Sequence, residues 1–502
     1  MRPETRTASG TRAVGHVHET ASGLTRRGFL SVAGGAALVA GGLDRSGALL
    51  RASTGEAGRE WLVEPRRIHS RRGLLTLTLD AAEHHAYVAG DWRRAILYNG
   101  SFPGPTLVAD PGDRIRVKLL NRLHHPTNLH THGFHVSPEG NSDNVLIHVE
   151  PGEVFDYEFD IPRNHAPGLN WYHPHPHGHG TQQMFGGMAG AAIFRSAEER
   201  RGRLGRIRDR VLVLQAPEWD ETGELKPWSA GLIGTQLRLV NGQLNPGIAI
   251  RRGETQLWRI LNASVSDFFD LRLDGHRFVQ VGADGNRWAR PVEAEVVHIP
   301  PGARAEVLVT GGRPGSHALR ALPSDHGLGF VSPELVLASM VTSPGRGRTA
   351  TPASMLEPFC DLREFALDTK RTITFTMRGG FLIDGKPFDP DRDDQVIELG
   401  AIEEWTVVND SPLIHPFHIH VNPFQLTHVD GVPVNDPGYR DTVSVHPNGG
   451  SITFRTVFAD FPGRSVFHCH IVPHSDLGMM AVFHVVRPGD DPAADPAPLC
   501  RL

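Results

Sequence analysis

At 502 residues the chain is too long for one hydrophobic core, and its length predicts about three domains. Its composition, 39% hydrophobic with 55 glycines and 38 prolines, indicates a soluble, loop-rich and β-biased protein. A formal net charge of −5 gives no reason to expect nucleic acid as a partner, and we expect none.

The N-terminal segment has the pattern of an export signal. Arg26 and Arg27 precede an uncharged run of small and apolar residues, 28–43. This run is shorter than the roughly 20 residues that a transmembrane helix needs. Twin arginines before such a run are typical of the twin-arginine (Tat) route. We expect residues 1–55 to be a signal and flexible leader, the protein to be periplasmic, cell-surface or secreted, and no membrane span to remain after signal removal.

Beyond the signal, short alternating strands recur between turns. In "DRIRVKLLN", residues 113–121, the alternation places Ile115, Val117 and Leu119 on one face. No long segment keeps a helical period. Many short strands at such spacing predict an all-β protein built of β-sandwiches.

Two stretches have the composition of linkers, 195–209 and 342–354. They divide the chain after the leader into three pieces that weakly repeat one another, each running from a turn through a proline-containing loop into a strand. We therefore expect three consecutive sandwich domains, at 56–200, 201–350 and 351–502.

Four histidine clusters lie in the first and third pieces and none in the second. They are "LHTHG", "WYHPHPHGHG", "HPFHIH" and "FHCHIVPH". On a strand, His-x-His places two imidazoles on one side, about 6.6 Å apart. Four such pairs supply eight imidazoles that can bind several metal ions. Imidazole suits copper, zinc, iron and nickel, so these pairs alone do not select the metal.

The cysteine in the last cluster selects copper. On a strand, Cys469 points away from His468 and His470, into its own domain. His415, His474 and Met479 are the candidates to join it. Two histidines, one cysteine and a weakly bound methionine describe a blue-copper site. One short strand is therefore predicted to carry ligands of two different sites on its two faces.

The four clusters, in this order, resemble the copper signature of the multicopper oxidases, a family that includes laccases and copper-efflux oxidases. The resemblance covers nearly the whole chain after the leader, and implies three cupredoxin-like Greek-key β-sandwiches and four copper ions. It assigns His130 and His418 to type 2 copper. It assigns six histidines to the type 3 pair: His132, His173, His175, His420, His468 and His470. It assigns four residues to type 1 copper: His415, Cys469, His474 and Met479.

Two acids are candidates for proton delivery. Asp143, eleven residues after His132, resembles the acid that follows the first motif in laccases, although an Asx-turn in "EGNSDN" is an alternative explanation. Bacterial members of the family often carry a carboxylate directly after the last type 1 histidine. Here that position is Ser475, so Asp476 is the nearest candidate.

The resemblance implies a laccase-like enzyme. Such an enzyme couples one-electron oxidation of phenols, aromatic amines or metal ions at type 1 copper to four-electron reduction of O₂ to water. We expect O₂ and a small reducing substrate as partners, and a monomer.

Three other functions are alternatives. A dedicated cuprous oxidase remains open, but such enzymes carry methionine-rich insertions, whereas this chain has 8 methionines. A copper-free scaffold, like the exported cell-division relatives of the family, would have lost ligands, and none is missing here. A copper nitrite reductase would lack four His-x-His pairs.

Cys360 and Cys500 lie near the two ends of the third predicted domain. Export to an oxidising compartment permits a disulfide, and we expect these two cysteines to pair.

Overall fold

The computed structural model describes residues 60–200, 207–229, 236–351 and 356–489. The twin arginines and Cys500 lie outside the described residues, so the export signal and the Cys360–Cys500 pairing stay predictions. Cys360 is disulfide-bonded, and Cys469 is a free, buried thiol.

Strands dominate three successive runs of the chain. The first run contains β1 (Arg67–His69), β2 (Leu74–Val88), β3 (Asp91–Tyr98), β4 (Thr106–Ala109), β5 (Arg114–Asn121), β6 (Val154–Asp160), β7 (Gly168–Tyr172) and β8 (Gly190–Phe194). The second contains β9 (Arg208–Gln215), β10 (Leu239–Val240), β11 (Gly247–Arg252), β12 (Thr255–Asn262), β13 (Phe269–Leu273), β14 (Phe278–Ala283), β15 (Asn286–Ala294), β16 (Val297–Ile299), β17 (Arg304–Thr310), β18 (Gly315–Ala321), β19 (Ser324–Asp325), β20 (Val331–Ser332) and β21 (Leu335–Arg346). The third contains β22 (Thr369–Thr376), β23 (Leu382–Ile383), β24 (Gln395–Glu398), β25 (Ile402–Asp410), β26 (His415–Ile419), β27 (Phe424–Val429), β28 (Val432–Pro433), β29 (Thr442–Val445), β30 (Gly450–Val457), β31 (Gly463–Cys469) and β32 (Met480–Val486).

Helices are few and short in the described part of the chain. They are α1 (Gly180–Phe185), α2 (Ala197–Arg200), α3 (Val472–Asp476) and a 3₁₀ turn at Leu362–Glu364. Among the residues that the structure describes, no helix is long and apolar enough to cross a membrane.

Each run of strands builds two packed sheets, which confirms the expected all-β fold of three sandwiches. The first run forms β1-β4-β8-β7 and β3-β2-β5-β6. The second forms β10-β9-β12-β17-β14-β15 and β11-β21-β18-β13-β16, with β19 and β20 as a separate pair. The third forms β23-β22-β25-β30-β27-β28 and β24-β32-β31-β26-β29.

The cores of the sandwiches follow from strand alternation. In β5, Ile115, Val117 and Leu119 are buried, as their period of two predicts, whereas Arg116 and Lys118 are exposed. They join a cluster that draws on both sheets of the first sandwich, including Leu77 of one sheet and Phe194 of the other. Burying these faces holds each sandwich together, and the histidine clusters stand at strand ends and in the loops beside them.

Candidate metal centres

Two neighbouring strands of the third sandwich, β26 and β31, present residues to two different groups. Their antiparallel register pairs Phe417 with Cys469 and His418 with His468. Because directly paired residues point to the same face of a sheet, and successive residues to opposite faces, Cys469 and His468 face opposite ways. The backbone of β31 therefore directs Cys469 and its neighbouring histidine to opposite faces of the sheet, as the sequence predicts.

On the inner face lies the cysteine group, Cys469, His415 and His474. The Cys469 Sγ is 3.3 Å from His415 Nδ1 and 3.6 Å from His474 Nδ1, and the two Nδ1 atoms are 3.1 Å apart. The other nitrogen of His415, Nε2, is 2.7 Å from the hydroxyl of Ser411, which leaves Nδ1 to face the thiol. All three members are buried. This donor set, one thiol and two imidazoles converging on a common point, fits copper.

The two adjacent methionines behave differently. The carbonyl of Met479 accepts from the N–H of Cys469 at 3.1 Å, and its own N–H donates to the carbonyl of His474 at 2.9 Å. Met479 is fully buried. Met480 instead pairs with His468 in the sheet and packs against Val145 of the first sandwich. The backbone of Met479 is therefore hydrogen-bonded to two members of the cysteine group, and its role as the axial ligand stays a prediction.

The imidazole group gathers the four His-x-His pairs from the first and third sandwiches. Its members are His130, His132, His173, His175, His418, His420, His468 and His470. Within each pair the ring centroids are 4.9 to 5.9 Å apart, so the two imidazoles of every pair are near neighbours, as the His-x-His spacing predicts. The Nε2 atom of His468 is 3.1 Å from Nε2 of both His175 and His420. Three ring nitrogens that converge in this way match the donor set of a bound cation.

Several ring nitrogens of this group have no hydrogen-bond partner among the described residues. His130, His173 and His418 share one pattern: Nδ1 donates to an oxygen, and the buried Nε2 has no partner. A ligating histidine has this arrangement, because the hydrogen bond at one nitrogen fixes the tautomer and leaves the other free for the metal. The group therefore has the donors to hold more than one metal ion.

Burial also sets the protonation state of both groups. It lowers the pKa of all ten histidines below the usual 6.5, to about 3 for His415 and about 4 for His468. Burial raises the pKa of the Cys469 thiol. The imidazoles are neutral at pH 7, which is the form that binds metal, and the thiol releases its proton when a cation binds.

Asp143 lies directly beside the imidazole group. Its carboxylate accepts from His130 Nδ1 at 3.0 Å and from both the N–H and the hydroxyl of Thr131. The Asx-type hydrogen bond in this loop is made by the next residue, Asn144, which accepts from the N–H of Leu146. Burial raises the pKa of Asp143 to about 7, so this carboxyl can hold or release a proton near neutral pH.

Asp476 is placed differently. Its carboxylate accepts from the N–H groups of Gly178 and Thr181, at 3.0 and 2.8 Å, and from the Thr181 hydroxyl at 2.6 Å. Burial raises its pKa to about 6. Its hydrogen bonds join α3, which carries His474, to the start of α1 in the first sandwich. The role of Asp476 in proton delivery stays a prediction.

One acid near the metal groups was missed by the sequence analysis. Asp441 lies within ligand distance of His132 and His418. Its Oδ1 is 3.2 Å from His132 Nε2, and its carbonyl accepts from His418 Nδ1 at 2.9 Å. No spacing relative to the histidine clusters marks Asp441 in the sequence. It reaches the site because β29 pairs with β26.

Comparison with known families gives three matches of one description. Sequence profiles described as "Multicopper oxidase" match residues 80–199, 169–332 and 363–489. Together these ranges include every histidine cluster and Cys469.

Individual relatives agree. The chain is 25% identical over 442 residues to multicopper oxidase mco of Staphylococcus aureus, covering 85% of this chain and 91% of that protein. It is 30% identical over 446 residues to the cell division protein FtsP of Edwardsiella tarda, covering 84% and 90%. Among solved structures it resembles a multicopper oxidase from Campylobacter jejuni, described as a metallo-oxidase. That likeness has a TM-score of 0.76 and 28% identity, over 86% of this chain and 96% of that one.

Proposed function

This chain belongs to the multicopper oxidase family, with three cupredoxin-like domains, and we propose that it is a laccase-like oxidoreductase. In this proposal, four one-electron oxidations of a phenol, aromatic amine or metal ion are coupled to the uptake of four protons by one O₂, giving two waters. Bound copper supplies the redox chemistry, with one ion at the cysteine group and three at the imidazole group. The assignment of individual ligands is the one that the sequence motifs imply.

One observation carries this proposal: the two groups stand back to back on one strand. Cys469 is covalently joined to His468 and His470, and His468 Nδ1 also donates to the Cys469 carbonyl at 2.9 Å. An electron therefore has a short path, through a few bonds, from the thiol side of β31 to the imidazole side. The complete set of ligands argues against a copper-free scaffold.

The chain's own residues can also handle the protons. The Asp143 carboxyl, in contact with His130 and 3.9 Å from His420 Nδ1, is placed to pass protons to the imidazole group. Its pKa of about 7 matches that role.

The methionines favour a laccase-like substrate range over cuprous oxidation. Met184 and Met188 form a close pair of methionines in the sequence outside the cysteine group, and both side chains are buried. They do not offer thioethers to a Cu(I) ion at the surface.

A side-by-side assay tests this proposal. The copper-loaded protein should take up O₂ with phenols and aromatic amines in the absence of added Cu(II). Mn(II), Fe(II), Cu(I) and bilirubin complete the panel. Activity only on Cu(I), or only with excess Cu(II), would instead identify a metal oxidase. A protein that binds no copper and consumes no O₂ would identify a scaffold.

Replacing Met479 tests the fourth residue of the type 1 site. At a type 1 site that already has a thiolate and two imidazoles, an added axial donor stabilises Cu(II) more than Cu(I), so Met479→Leu should raise the reduction potential, by on the order of 100 mV or about 2 kcal/mol. Leucine has a similar volume, so packing should change little. Redox titration of the blue band measures the shift. Met480→Leu is the control, because Met480 packs on the opposite face. If only the Met480 variant changed the potential, the assignment of Met479 would be wrong.

A further inference from the structure

Arg304 joins the second sandwich, which carries none of the predicted ligands, to the imidazole group. It is the first residue of β17, and its side chain is fully buried. Its two terminal nitrogens donate to the two carboxylate oxygens of Asp441, each at 2.7 Å. Nε donates to the carbonyl of Leu169 in the first sandwich, at 3.2 Å. One guanidinium therefore contacts all three sandwiches, through a bidentate ion pair of the strong, orienting kind.

Asp441, the acid that Arg304 binds, contacts one imidazole of the first sandwich and one of the third. His132 Nε2 is 3.2 Å from Asp441 Oδ1, while His132 Nδ1 faces His470 Nε2 at 3.2 Å. His418 Nδ1 donates to the Asp441 carbonyl. The rings of His132 and His418 stack with their centroids 3.8 Å apart. With Nε2–H donated to Asp441, the Nδ1 lone pair of His132 points into the group.

Packing around Arg304 leaves little room for rearrangement. A Cβ atom on Gly133 would lie 2.2 Å from an Arg304 terminal nitrogen, at a backbone φ of +85° that also favours glycine. A Cβ on Gly302, in the turn just before Arg304, would lie 2.6 Å from the ring of His470. The second sandwich therefore reaches the imidazole group in two ways: Arg304 contacts it through Asp441, and the backbone at Gly302 lies against the ring of His470.

We propose that Arg304 is a positioning residue for the imidazole group. Arg304 fixes the position of the Asp441 carboxylate, and Asp441 in turn holds His132 in one tautomer and one orientation. The second sandwich, which carries none of the predicted ligands, therefore affects how tightly the type 2 and type 3 ions bind. The inference rests on the proposed function. Without the guanidinium, the Asp441 carboxylate keeps, among the described residues, only the neutral Thr442 hydroxyl, 2.8 Å from Oδ1, as a donor beside His132, and can rotate away from that ring. Loss of such supporting contacts weakens metal binding or activity by about 10- to 100-fold.

The test compares Arg304→Met with Arg259→Met. Arg259 is a second, equally buried arginine of the same sandwich, ion-paired with Asp209, Glu199 and Glu306 and remote from the histidines in its contacts. Both variants should lose thermal stability. Only Arg304→Met should lose copper from the imidazole group, change the type 2 electron paramagnetic resonance signal and lose about 10- to 100-fold in the rate of O₂ reduction. Its blue band should stay. Arg304→Lys keeps the positive charge but cannot bind both oxygens of the Asp441 carboxylate as a guanidinium does. It should therefore bind more copper than Arg304→Met and less than the unaltered protein.

Three results have distinct meanings. Full copper loading and an unchanged type 2 signal in Arg304→Met, with only the stability loss seen in Arg259→Met, would overturn the inference. If Arg304→Met does not fold, Arg304→Lys takes its place. An unchanged type 2 signal in that variant would likewise overturn the inference. If the unaltered protein binds no type 2 or type 3 copper, it is the proposed function that fails, whatever the variants do.

Discussion

Cys469→Ser is expected to abolish the intense blue absorption and nearly all substrate oxidation, while the protein folds and retains copper at the imidazole group. A serine hydroxyl is not a thiolate donor, so the absorption that depends on sulfur bound to copper disappears. Removing a hydrogen-bond partner of a metal ligand lowers metal affinity or activity by about 10- to 100-fold. Removing a direct ligand should therefore reduce turnover by more than about 100-fold. A hydroxyl oxygen is smaller than a thiol sulfur, so serine fits the space of Cys469 beside His415 Nδ1, 3.3 Å from the sulfur, without a steric clash.

His418→Ala is the complementary variant. His418 lies on the other face of the same strand pair, so its loss should leave the blue band and remove O₂ reduction. Absorption spectra, copper content and O₂ uptake of the two variants check this. A Cys469→Ser protein that stays blue would show that the thiol is not the ligand of type 1 copper.

Acid should destabilise the copper-free protein strongly. The ten histidines of the two groups have pKa values lowered by burial, whereas the unfolded chain binds protons near pH 6.5. The unfolded state therefore takes up protons first, and stability present above pH 6.5 is lost as the pH falls below it. Each histidine contributes about 1.4 kcal/mol at one unit below 6.5. Asp143 and Asp476 offset part of this loss of stability. Their folded pKa values are raised to about 7 and about 6, so as the pH falls these two carboxyls bind protons first in the folded state.

The copper-free protein should therefore lose a large part of its free energy of unfolding between pH 7.5 and about 5.5. Urea unfolding of the copper-free protein at both pH values, followed by circular dichroism, measures it. A variant with His418→Gln and His420→Gln has two fewer such imidazoles, so its free energy of unfolding should depend less steeply on pH. A urea midpoint independent of pH would contradict the prediction. Copper should raise the midpoint at each pH, because it binds the folded state.

The sequence by itself determined the all-β fold, the three sandwiches and the composition of both metal groups. These depend on local patterns: a period of two decides which face of a strand a side chain takes. In "FHCH" that period separates Cys469 from its two neighbours whatever the rest of the chain does. The covalent link between the two groups could be predicted for the same reason.

Tertiary structure alone decided which acids and cations support the metal groups. Asp143 turns its carboxylate to His130 and leaves the Asx-type hydrogen bond to Asn144. Asp441 meets His132 across 309 positions of the chain, and Arg304 meets Asp441 across 137. Such contacts arise where the sandwiches pack, and their geometry depends on how whole sheets are placed against one another. No local period in the sequence records that placement, so a charged side chain at such an interface looks like any other loop residue until the domains are assembled.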